Sequence, residues 1–182
     1  MLRFFVFAVI VILNFVLQST LFPHLALLGV TPDTALVLIV SYGVLRGDIE
    51  GAIFGILAGL VTDLLSGFNI GIFALLGFLT GYACGKPFRD FFKDNYFLPF
   101  MVVVVVSVFY QIALYIMTVM FTGQMDFFHY TRTIILPRTV YTASLSIPLY
   151  SFMHFVNVRI ERHERNMRTS FGRNLLGEDD ED

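Results

Sequence analysis

Three ionisable side chains lie within or at the edges of long apolar runs: Asp33, Asp63 and Arg138. A charge at membrane depth costs a few kcal/mol on insertion scales and normally finds a partner. Asp33 follows Pro32 at a helix start, the place for a capping carboxylate. Asp63 stands near the end of its own helix, the wrong end of the dipole for an acid. It reads either as a solvated interfacial acid or as a buried, paired one. Arg138 lies about one turn inside another run and lacks a local counter-charge. The spacing therefore predicts an Asp63–Arg138 pair. The competing arrangements are Asp63 accepting N–H groups at the start of the next helix and Arg138 reaching lipid phosphates.

Gln18 and Gln111 place two amides in apolar runs, and interhelical hydrogen bonds account for both. His24, His129, His154 and His163 lack HExxH or other ligand spacing, so no metal site is expected. Ser19, Ser66 and Ser107 have no neighbouring His or Lys that would make a nucleophile. Glycines recur four apart rather than as GxGxxG or a Walker loop, so no phosphate cradle and no cofactor is expected. Nothing in this set reads as an enzyme or as a nucleic-acid binder.

The elements that carry these residues follow from composition. The chain has 182 residues, 57% apolar and 14% charged, with a mean hydropathy of +0.76. An ordinary soluble domain is about 25% charged, so this composition describes a polytopic membrane protein. Six segments are expected: Phe4–Leu21, Thr34–Leu45, Ile49–Leu65, Ile70–Cys84, Tyr96–Phe121 and Ile134–Val158. The second is short for a bilayer core of about 30 Å. A turn over Ser66-Gly67-Phe68-Asn69 separates the third from the fourth, and Pro148 should kink the sixth. The valine run Val102–Val106 is helical in lipid, because an unpaired strand edge is untenable there. The lone Cys84 excludes an intramolecular disulfide. No small-x-small cleavage site follows the first apolar stretch before Pro23, so it reads as a retained span.

With the N-terminus inside, ten Lys/Arg fall on the cytoplasmic side, including Arg3, Arg46, Lys86, Arg89 and Lys93, against Arg132 and Arg138 outside. Both termini are then cytoplasmic. Residues 1–158 form the transmembrane domain and 159–182 a charged cytoplasmic tail. Its first part, Arg159–Arg165, either continues the sixth helix or lies on an anionic membrane surface, and the remainder, ending in five acids, is too polar to fold alone.

Glycine carries the rest of the signal: ten of the fourteen lie between residues 43 and 85. Gly43, Gly47, Gly51, Gly55 and Gly59 recur every four residues, and Gly77, Gly81 and Gly85 repeat the device. No hydrophobic force draws helices together in lipid, so small residues allow backbones close enough for van der Waals contact. The stripe serves either internal packing or a partner helix.

Taken together, Leu17-Gln18-Ser19-Thr20-Leu21-Phe22-Pro23, Thr31-Pro32-Asp33 and the run Gly59, Asp63, Leu64, Ser66, Gly67 resemble the rod shape-determining MreD family over residues 1–160. The resemblance implies a bacterial inner-membrane component of the elongation machinery that keeps cells rod-shaped. It implies MreC as the foremost partner, with MreB, RodA and a class B penicillin-binding transpeptidase as further neighbours. It also implies an all-α six-helix fold similar to the substrate-binding subunits of energy-coupling-factor transporters. From that similarity comes the alternative function, a vitamin-like transporter subunit with Gln18, Asp63, Gln111 and Arg138 around its ligand.

Overall fold

The computed structural model describes residues 2–20, 24, 26, 29–66, 71–88, 97–122 and 127–175. Gly67, Phe68 and Asn69 of the expected turn, most of the basic Lys86–Lys93 segment and the acidic end lie outside the described residues, as do the side chains of Ser66 and Lys86. The protein is all-α among the described residues. Its helices are α1 (Leu2–Thr20), α2 (Thr34–Arg46), α3 (Asp48–Ser66), α4 (Ile72–Phe88), α5 (Phe97–Thr122), α6 (Phe127–Tyr130) and α7 (Leu136–Leu175). A π-helical turn, Thr131–Ile135, joins α6 to α7 without a break. Pro137 follows it directly, and a residue with no N–H that crowds the preceding turn favours a local change of register. The Leu136 N–H accordingly reaches back five residues to the Thr131 carbonyl.

One boundary departs from the expected segments. The last helix does not stop at Val158 but continues to Leu175, running through Pro148 on the way. The second element is short, as expected, yet it occupies the centre of the bundle. Residues Thr34 to Val44 are all buried. One side of α2, with Leu36, Val37, Val40 and Val44, packs on Leu76 of α4, Val103 and Leu114 of α5 and Tyr150 of α7. The other side, with Leu38, Ile39 and Tyr42, packs on Phe7 of α1, Phe54 of α3 and Met153 of α7. A helix of 13 residues is about 20 Å long. Its flanks touch protein, so its length does not have to match the lipid core.

Among the described residues, α5 has the one helix stretch long and apolar enough to cross a membrane alone, Phe100–Met117, at mean hydropathy 2.3. Val6–Thr20, Thr34–Arg46 and Ile72–Gly85 are apolar but shorter.

The tightest contact is between α3 and α4, which run antiparallel in glycine register. A Cβ on Gly55 would fall on the Gly77 carbonyl, and one on Gly81 would fall on the Gly51 carbonyl. One on Gly59 would stand 2.5 Å from the Ala74 Cα, closer than real Cβ atoms come. Each step of four forward on α3 thus meets a step of four back on α4. Gly43 of α2 joins the same seam, its missing Cβ 2.8 Å from the Gly81 carbonyl oxygen. The stripe is not one helix face, because α2 and α3 are separated by Gly47 alone. Gly47 holds φ 108° and ψ −176°, a conformation open essentially to glycine only. Gly85 packs directly on this Gly47–Asp48 link.

Replacing Gly55 or Gly81 with alanine should cost about 1–3 kcal/mol through forced separation of the backbones. Ile56→Ala, on the exposed side of α3, should stay within about 0.5 kcal/mol of wild type. Reversible unfolding in detergent, comparing the variants, checks the contrast.

Candidate functional site

Asp63 is 2% exposed, and both of its carboxylate oxygens are engaged. Oδ1 accepts the Phe73 N–H at 3.1 Å and Oδ2 accepts the Ala74 N–H at 3.1 Å. These are amides of the first turn of α4, which have no intrahelical acceptor. The acid at the unfavourable end of α3 therefore sits at the favourable end of α4, where the helix dipole and two N–H donors stabilise negative charge. Gly71, with φ 109°, delivers the chain into this turn, and the glycine seam brings the end of α3 close enough for Asp63 to reach it.

Arg138 does not pair with Asp63. Its Nη2 stands 3.8 Å from Oδ2 of Asp33 instead. Both Asp63 oxygens already have backbone donors, so the guanidinium meets the carboxylate that retains a free oxygen. Asp33 caps α2 as expected: Oδ1 accepts the Leu36 N–H at 3.1 Å, leaving Oδ2 for Arg138. Its own backbone N–H donates to Thr142 Oγ1 at 3.0 Å. Thr142 is fully buried and lies four residues after Arg138, on the same face of α7. That i, i+4 spacing is visible in the sequence but carries no sign of which helix it meets. Asp33 thus joins α2 to α7 twice.

The remaining polar residues divide. Gln111 is fully buried on α5, one turn after the equally buried Ser107. Neither the Gln111 amide atoms nor the Ser107 hydroxyl meets a hydrogen-bond partner among the described residues. Tyr110 beside them lies in the combined field of Asp33, Arg138 and Asp63. Gln18 is half-buried and lines a small cavity of about 10 Å³ with Asn14, Ala35 and Thr62, room for a single water. Of Gln18, Asp63, Gln111 and Arg138, only Gln18 lines this cavity, and none of the four lines the larger one between α1 and α3. The six packing glycines come together as the α3–α4 seam: Gly51, Gly55 and Gly59 on one side, Gly77, Gly81 and Gly85 on the other.

The larger cavity was not anticipated from the sequence. It measures about 420 Å³ and lies between α1 and α3, with Phe7, Tyr42 and Phe54 along it and Glu50 at one end. The two carboxylate centres and this groove are separate features, since Asp33 and Asp63 are not among its lining residues.

The two carboxylates make different predictions in double-mutant cycles. Asp33→Asn with Arg138→Gln should couple by about 0.5–3 kcal/mol, as for groups in contact. Asp63→Asn with Arg138→Gln should add within about 0.5 kcal/mol. Unfolding free energies of the single and double variants distinguish the cases.

The family model for MreD, rod shape-determining protein MreD, matches residues 1–156 of the chain. No curated protein and no solved structure matches it.

Proposed function

We propose a function from one premise: this chain belongs to the MreD family of rod shape-determining proteins, whose model covers residues 1–156. Membership makes it a membrane protein with a role in cell shape. Within that role we read it as a non-enzymatic scaffold of the cell-wall elongation machinery, which positions peptidoglycan synthesis in the bacterial inner membrane. The observation that carries this reading is how its intramembrane charges are engaged. Asp63 is bound by two α4 amides, and Asp33 by an α2 amide and Arg138. Carboxylates held in this way fix helix ends, and the product of that fixing is a shaped, stiff surface. Such a protein offers partners its outward helix faces, its basic Lys86–Lys93 segment and its 159–182 tail.

In the topology that goes with this function, α1 to α5 and α7 make six crossings with both termini cytoplasmic. The ten-to-two distribution of Lys and Arg supports it. So does the burial of α2, which lets a short helix cross inside a sleeve of protein. The continuation of α7 to Leu175 would carry the helix beyond the membrane into the cytoplasmic tail. MreC is the foremost partner in this reading, with MreB, RodA and a class B penicillin-binding transpeptidase as further members of the assembly.

Depleting the protein in a rod-shaped host should round the cells while vitamin uptake stays normal, and the intact chain should restore the rods. Unchanged rods with impaired uptake would overturn the scaffold reading. Light microscopy with a labelled-vitamin uptake assay on the same culture decides it.

A further inference from the structure

The small cavity between α1 and α3 has polar walls that packing alone does not require. It leaves about 10 Å³ in which the centre of a water molecule can lie, so one water fits without displacing the walls. Asn14 and Gln18 line it from α1, Ala58 and Thr62 from α3, and Ala35 from α2. The two amides are half-buried and stand four residues apart, a spacing that allows a direct bond between them. The structure makes no such bond, and among the described residues neither amide has a hydrogen-bond partner.

On α3 the Thr62 hydroxyl donates to the Ala58 carbonyl at 2.9 Å. A hydroxyl oxygen carries two acceptor lone pairs, and each amide offers both donors and acceptors. Helices α1 and α3 run parallel, with Phe7 beside Phe54 at 6.2 Å in their first halves and this cavity near their ends. Gln18 lies two residues before the end of α1 and Thr62 four before the end of α3, about 3 and 6 Å of helix. In a membrane both ends reach the same surface, so water enters the cavity without crossing the hydrocarbon core. Polar walls hold water where an apolar cavity stays dry.

We propose that this cavity binds one water, held by the Asn14 and Gln18 amides and the Thr62 hydroxyl, and that this water is the polar link between α1 and α3. It supplies partners to two amides that would otherwise stand unpaired at membrane depth, where an unmade hydrogen bond is costly. Val11 and Val61 line both cavities, so the water closes the larger groove at the end away from Glu50. The rest of the packing here comes from apolar side chains and rings such as Phe7, Val11, Phe54 and Ala58. The water adds the directional contact that such packing lacks.

The test is proton-detected solid-state NMR of the full chain in bilayers of phospholipid with deuterated acyl chains. Magnetisation from a long-lived water should reach the side-chain amides of both Asn14 and Gln18. Thr62→Val, close in shape but without the hydroxyl, should remove this transfer at the two amides on the other helix. Gln18→Met should lower stability. Its effect on the unfolding constant should depart from independence of Thr62→Val by about threefold or more, as for groups in one hydrogen-bond network. No transfer from water in the wild-type chain would overturn the proposal, and that measurement needs no variant to fold. Transfer from lipid glycerol protons instead would assign the cavity to a headgroup and end it. Transfer unchanged in Thr62→Val would mark ordinary interfacial solvation of α1, with the same consequence. So would a Gln18→Met protein at least as stable as wild type, the result expected of an amide left unpaired in lipid.

Discussion

The close approach of α3 and α4 is the constraint on which the other features rest. Two helices at van der Waals contact of their backbones need residues without side chains at every point where they touch. Here glycines on α3 meet glycine carbonyls on α4 in antiparallel register. In lipid no hydrophobic gain compensates a gap, so each contact has to come from packing itself. The register has a second effect. It fixes where the end of α3 stands relative to the start of α4, and so places the Asp63 carboxylate on the Phe73 and Ala74 amides.

Charge is handled by the same economy of position. An isolated carboxylate in a low-dielectric interior is costly, and hydrogen bonds to the charged form lower that cost. Asp63 uses unpaired amides of the neighbouring helix, and Asp33 uses one of its own helix together with Arg138. Thr142 adds a hydrogen bond to the Asp33 backbone, so α2 is held to α7 near the point where its helix begins. The two acids therefore pin the same end of the bundle, Asp63 to α4 and Asp33 to α7. The result is a bundle whose outer faces are apolar, in keeping with the proposed scaffold role.

Burial of α2 follows from both devices. Gly43 and Gly77 bring α2 against the α3–α4 pair, while Asp33 fastens its start to α7. Aliphatic side chains of α2 then fill the space toward α1, α5 and α7. Against this dense centre, α1 touches α3 less closely, and the groove with Tyr42 and Glu50 lies along that looser contact. A bundle built around a rigid core can leave one peripheral cleft open without losing its shape.

The sequence alone determined which segments are helical, since apolar runs broken by Pro32, Gly47 and Gly71 admit no other structure in lipid. It also determined that two helices approach through glycine, and that Asp33 caps a helix. It did not determine who meets Arg138. Both Asp33 and Asp63 were available at similar depth, and the choice turns on which acid has a free oxygen once the backbone amides are satisfied. The groove and the central place of α2 were equally hidden. Helices that are apolar all round lack the one-sided pattern that marks an inward face. Only the fit of backbones and side chains in three dimensions decides which face is covered by protein and which is left to lipid.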